Sequence, residues 1–82
     1  MKTKILFFAT LRDKTGTRAT EVELAPGATL ANLKEMLIAQ FPAPDAQLMQ
    51  HCLAAINHEY RFDADEIPAA AEIAFFPPVS GG

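Results

Sequence analysis

Ile73-Ala74-Phe75-Phe76-Pro77-Pro78-Val79-Ser80-Gly81-Gly82 is the stretch on which the reading of this chain turns. Its first part predicts a short apolar strand over Glu72 to Phe76. Pro77 and Pro78 stop that strand, because neither carries the amide hydrogen a ladder needs. They favour an extended exit, and the glycines beyond them pack nothing. A terminal diglycine alone reads in two ways. It is a frayed end or cloning scar, or it is a carboxylate stripped of bulk so that it threads into a partner's active site. From Pro77 through Gly82 such a tail reaches about 20 Å.

A strand so apolar needs neighbours of its own kind, and the other end of the chain supplies one. Residues 3–10 read as a strand with Ile5, Phe7 and Ala9 on one side and Leu6 and Phe8 on the other. Both sides are apolar, as in a central strand covered by the fold on one face and by a loop or partner on the other. Asp13 to Arg18, with Gly16, forms a connection to Thr20-Glu21-Val22-Glu23-Leu24, where Val22 and Leu24 alternate inward. Pro26-Gly27 marks a turn. Thr29 is an N-cap candidate for a helix to about Phe41, with Leu30, Leu33, Leu37 and Phe41 as its apolar stripe. Lys34 lies off that stripe and is expected in solvent, while Pro42 and Pro44 end the helix. Another helical turn is expected near 45–51, then a strand from Leu53 to Asn57, a turn through His58, and a minor strand at Tyr60–Phe62. The order describes an α+β domain with one principal helix on one face of a mixed sheet. The first and last strands are expected to be parallel neighbours, with the helix packed against them and Leu33 and Leu37 buried.

The 82 residues make one domain, and half of them are apolar with only 21% charged, which argues against disorder. No apolar run approaches the ~20 residues of a membrane span. The net charge of −3 conceals an asymmetry. Through Lys34, six Lys/Arg oppose three Asp/Glu; beyond it Arg61 alone faces seven acids. No basic stripe or base-stacking motif points to nucleic acid. The single Cys52 forms no internal disulfide, and the chain reads as cytoplasmic.

Few side chains suggest chemistry. His51 and Cys52 match no metal or nucleophile pattern, and Cys52 reads as structural. His58 falls in a surface turn. Asp63, Asp65, Glu66 and Glu72 lack the spacing and glycine of a calcium loop. Ser80 has no base beside it. By elimination the distinctive reactive group is the terminal carboxylate. Its charge repels nucleophiles and oxide leaves poorly, but an acyl-adenylate supplies a phosphate leaving group. Attack by a sulfur donor on such an adenylate can then leave a thiocarboxylate.

The whole chain resembles the small sulfur-carrier subunit of molybdopterin synthase, a ubiquitin-like β-grasp family. The resemblance rests on Leu6-Phe7-Phe8-Ala9 followed by Leu11-Arg12-Asp13 and Gly16, on Ala54-Ala55-Ile56-Asn57, and on the closing Ile73 to Gly82 block. One departure stands out: Ala70-Ala71-Glu72 replaces the family's usual Gly-Asp-Glu turn, which puts the local turn geometry in question.

The resemblance implies a β-grasp domain over 1–76 and an extended carrier tail over 77–82. Gly82 is the reactive residue; Pro77, Pro78, Val79, Ser80 and Gly81 are the inserted stem. A partner enzyme adenylates Gly82 with ATP, and a sulfur-donor system leaves a thiocarboxylate. The tail then enters the large catalytic subunit and donates sulfur to cyclic pyranopterin monophosphate, in a heterotetramer of two small and two large subunits. The catalytic pocket belongs mainly to the large subunit, so whether the chain alone counts as an enzyme is open. It is expected to bind no cofactor or metal, and to meet neither nucleic acid nor membrane. Phe7, Phe8, Phe75 and Phe76 are candidates for the partner interface, one of each pair supporting the core and the other facing outward. Carriage of sulfur for thiamine-thiazole synthesis or another pathway, and a noncatalytic or protein-tagging ubiquitin-like module, are the alternatives.

Overall fold

The computed structural model describes residues 1–41 and 46–78. Pro42 and Pro44, expected to end the long helix, lie outside the described residues, as do Val79, Ser80, Gly81 and Gly82. The elements are β1 (Lys2–Phe7), α1 (Thr10–Thr15), β2 (Ala19–Glu23), α2 (Leu30–Gln40), α3 (Ala46–Gln50), β3 (Leu53–Ile56), β4 (Glu59–Arg61) and β5 (Glu72–Phe76). They build a five-stranded sheet in the order β2-β1-β5-β3-β4. β5 runs parallel to β1, with Ile5 opposite Ile73 and Phe7 opposite Phe75, and antiparallel to β3. A mixed sheet on one main helix, with first and last strands paired at its centre, is the ubiquitin-like β-grasp.

The pleat puts Ile5, Phe7, Ile73 and Phe75 on the face that meets α2, where Leu30, Leu33 and Leu37 are buried against them. Phe7 stacks on Phe75 at 6.3 Å and meets the edge of Phe41 at 5.7 Å. α2 starts as its sequence demands. The Thr29 hydroxyl accepts from the Asn32 N–H at 3.2 Å, and the Asn32 side chain accepts from the Thr29 N–H at 3.0 Å. Such a reciprocal cap satisfies two of the donors a helix start leaves over. Carbonyls from the β4–β5 loop take two more, Asp65 from Leu30 N–H and Asp63 from Ala31 N–H.

Three expectations are corrected. β1 ends at Phe7, not residue 10. The Phe8 N–H still donates to the Phe75 carbonyl, but Ala9 sits at φ 52°, ψ −129° and turns the chain away, so Ala9 is exposed and does not share the buried side of Ile5 and Phe7. The connection after it holds a helix, α1, anchored by the fully buried Leu11 and stopped by Gly16 at φ 77°, a conformation glycine adopts without strain. Lys34, expected in solvent, is only 5% exposed. Its ammonium donates to the carbonyls of Gln50 (3.1 Å) and Cys52 (3.3 Å) and to Asp63 Oδ1 (2.8 Å). All three N–H donors are satisfied, which is what lets a cation sit in the core wall.

The β3–β4 hairpin closes through Asn57 and His58, both at positive φ as a two-residue turn requires. Asn57 Oδ1 accepts from the Glu72 N–H at 3.0 Å, which pins the turn to the start of β5. Just upstream Ala70 takes φ 58°, a left-handed position that the glycine expected there from the resemblance would occupy without strain. Ala71 is buried and its carbonyl accepts from Lys4 N–H, so the turn keeps its packing despite the substitution.

Thr3 is the exception in an otherwise satisfied core. It is fully buried in β1, and its hydroxyl has no hydrogen-bond partner among the described residues. Thr3→Val keeps the shape and removes the desolvated hydroxyl, so it is expected to raise stability by about 1 kcal/mol. A urea titration should show a higher midpoint with an unchanged slope; a lower midpoint would mean the hydroxyl is bonded.

Candidate functional site

The face of the sheet turned away from α2 follows from the same alternation. Leu6, Ala74, Ala55 and Tyr60 line up across β1, β5, β3 and β4, with Phe76 opposite Leu53 one layer along. Phe8 lies on Phe76 with ring centroids 4.8 Å apart and planes 11° from parallel, and Tyr60 approaches Phe76 at 6.2 Å. Leu6, Phe8, Tyr60 and Phe76 line a shallow groove of about 360 Å³ with Ala55 and Ala74, and His58 and Glu72 complete its lining. Phe8 is 42% exposed, Tyr60 68% and Phe62 80%. Aromatic surface held out in water at this density marks a contact site for another molecule.

The four aromatic candidates thus separate. Phe7 and Phe75 are claimed by the core and unavailable at the surface, while Phe8 and Phe76 stand on the outer face. Tyr60, Phe62 and Leu53 were missed by sequence reasoning; the alternation of Leu53-Ala-Ala against Tyr60-Arg-Phe62 across a short hairpin is the signal that places them together. Pro77 is half-buried and Pro78 exposed immediately past Phe76, so the stem leaves from the border of this aromatic face. Val79, Ser80, Gly81 and Gly82 lie outside the described residues.

The remaining polar candidates are occupied locally. Asp63 holds Lys34, Asp65 Oδ2 accepts from Phe62 N–H at 2.7 Å, and Glu72 faces Lys4 (3.8 Å) and His58 (3.7 Å). His51 is exposed, and Glu66 lies in the isolated bridge to Thr29. Among the described residues no three His, Cys, Asp or Glu stand together as a metal site, and no helix is long and apolar enough to cross a membrane.

Cys52 is 6% exposed, and its thiol donates to the Leu48 carbonyl at 3.1 Å. Burial pushes it from the usual 9.0 up to about 11, against the opposing pull of Lys34. The fold therefore favours the neutral thiol. That contribution is intact below about pH 9 and lost as pH rises toward 11, worth at most ~2 kcal/mol. Urea denaturation across this window should show the wild-type chain losing more stability than Cys52→Ala does; parallel curves would refute the burial argument.

A sequence profile described as the ThiS family matches residues 5–82. The molybdopterin synthase sulfur carrier subunit of Chlamydomonas reinhardtii is 37% identical, with all of both chains covered. That of Escherichia coli (strain K12) is 38% identical over 96% of this chain and 98% of its own. The crystal structure of SAMP1 from Haloferax volcanii, a small archaeal modifier protein, superposes with a TM-score of 0.85 at 27% identity, covering 100% of each chain.

Proposed function

This chain belongs to the ThiS family of β-grasp sulfur carriers, and from that premise we propose that it is the small subunit of a cytoplasmic molybdopterin synthase. Its folded body over 1–76 carries the tail 77–82, whose Gly82 carboxylate is adenylated by an ATP-using partner and converted to a thiocarboxylate. The outer aromatic face docks on the large subunit while the tail enters its pocket. There the sulfur is donated to cyclic pyranopterin monophosphate. The observation that carries this reading is the continuity between the Phe8–Phe76 stack and the start of the tail. A partner that covers the face also receives the stem.

The reading divides the labour chemically. In it the large subunit supplies the reacting groups of the pocket, and this chain supplies a narrow acyl group on a proline stem whose stiffness lowers the entropy lost on insertion. The test is intact-mass measurement after incubation with the activating enzyme, ATP and a sulfur donor, followed by transfer to the large subunit. The expected product is a chain with one oxygen replaced by sulfur, which reverts as the pterin gains sulfur. A chain that loads but delivers only to a thiazole-forming partner would move the assignment to thiamine synthesis.

A second reading, favoured by the likeness to SAMP1, has the same activated carboxylate captured by lysine amines of other proteins. Isopeptide-linked adducts recovered from cells expressing a tagged chain would support it, and their absence beside an abundant thiocarboxylate would exclude it.

A further inference from the structure

The cations of this protein are unevenly spent. Lys34 is held by Asp63, Lys4 by Glu72, and Arg61 by Glu59. Arg12, Lys14 and Arg18 are exposed, and, like the solitary Lys2 at the far end of β1, none is within ion-pair distance of any described carboxylate. The fold gathers these three at one place. The Arg12 and Leu11 amides, at the start of α1, donate to the carbonyls of Ala9 and Phe8, and the Arg18 carbonyl accepts from Phe7 N–H at the end of β1. Because β5 is parallel to β1, that end of the sheet is the one from which Pro77 and Pro78 depart. With Asp13 as the one acid among them, the segment carries +2 in a chain whose total is −3. The aromatic face and the tail stem therefore sit beside a basic collar, and the rest of the molecule is acidic.

We propose that this collar docks on a rim of Asp and Glu side chains surrounding the mouth of the pocket that receives the tail. The proposal rests on the reading that the tail enters a partner. A small phosphate-bearing ligand is disfavoured as the occupant, since the three side chains are exposed and Asp13 stands among them. Exposed cations spread along a short helix and its exit loop suit a protein surface. The charge pattern acts in two ways. A molecule with one positive end in an otherwise negative body is turned tail-first as it nears an acidic mouth, which raises the association rate. In the docked state the collar meets the rim beside the point where the stem leaves the sheet.

The experiment is stopped-flow association of the intact chain with the large molybdopterin synthase subunit from the same organism, from low to high salt. The wild-type rate is compared with that of the triple variant Arg12→Glu, Lys14→Glu, Arg18→Glu and a milder Gln triple. The altered side chains are exposed, so folding should be retained, and circular dichroism checks it. The expected result is an association rate at least ~10-fold lower for the Glu variant at low salt. The Gln variant should lie between, the gap should close at 1 M salt, where screening acts within ~3 Å, and dissociation should change less than about twofold. Equal association rates for all three chains would overturn the collar while leaving the carrier function standing, and so would a faster Glu variant. A wild-type chain that does not associate at all would overturn both.

Discussion

Deletion of Gly82 is expected to leave a folded protein that delivers no sulfur. In the proposed mechanism the deletion moves the reacting carboxylate back by one residue, about 3.5 Å along an extended chain, far beyond the tolerance of an acyl-transfer geometry. Extension past Gly82 should be as damaging, because the acid becomes an amide. Gly81→Val should impair transfer more mildly, since a β-branched residue widens the stem and narrows its dihedral choice. The core between β1, β5 and α2 is built from other residues, so thermal unfolding should be unaltered. Adenylation, thiocarboxylate formation and delivery are to be measured separately on variants with matched affinity for the large subunit. Sulfur delivery at the wild-type rate by the deleted chain would remove Gly82 from the mechanism.

The largest effect on stability is expected from Leu33→Ala. Leu33 is fully buried on the face of α2 that meets the sheet. Truncation removes its transfer energy and leaves a cavity between helix and strand, about 2–4 kcal/mol together. A domain of this size holds only ~5 kcal/mol in all, so the variant should approach half-unfolding in water near physiological temperature. Leu37→Ala, 1% exposed, should behave alike. A loss below about 1 kcal/mol at both sites, read from urea midpoints, would mean that α2 is not the element that closes the core.

How far the sequence foretold all this differs by residue. Val22, Leu24, Leu33 and Leu37 went inward as their periodicities required, and Thr29 capped α2 as its hydroxyl allows. Those features are local. Lys34 was misread because the groups that bury it, the carbonyls of Gln50 and Cys52 and the Asp63 carboxylate, come from 16 to 29 residues away. α1 escaped notice because a six-residue helix presents one apolar anchor, Leu11, and no periodicity. The phenylalanine pairs show the limit most clearly. Alternation says that Phe7 and Phe8 face apart, but with both faces apolar only the position of α2 decides which one is covered. At the site, the end of β5 was legible from Pro77 and Pro78, whereas Tyr60 and Leu53 joined the outer face only through cross-strand register.

The central position of β5 has a mechanical consequence. Any partner that draws on the tail pulls on a strand bonded on both sides, to β1 in parallel and to β3 in antiparallel fashion. Force along such a strand loads its hydrogen bonds in shear, all at once, rather than peeling them off one by one as from an edge. Extraction from this end would have to break two ladders and uncover Ile73 and Phe75 in a single step. A partner can therefore tug, thread and release the tail repeatedly while the body behind it stays folded. Pulling single molecules from the C-terminal side should give an abrupt rupture at high force, while a strand at the margin, such as β4, would unzip gradually.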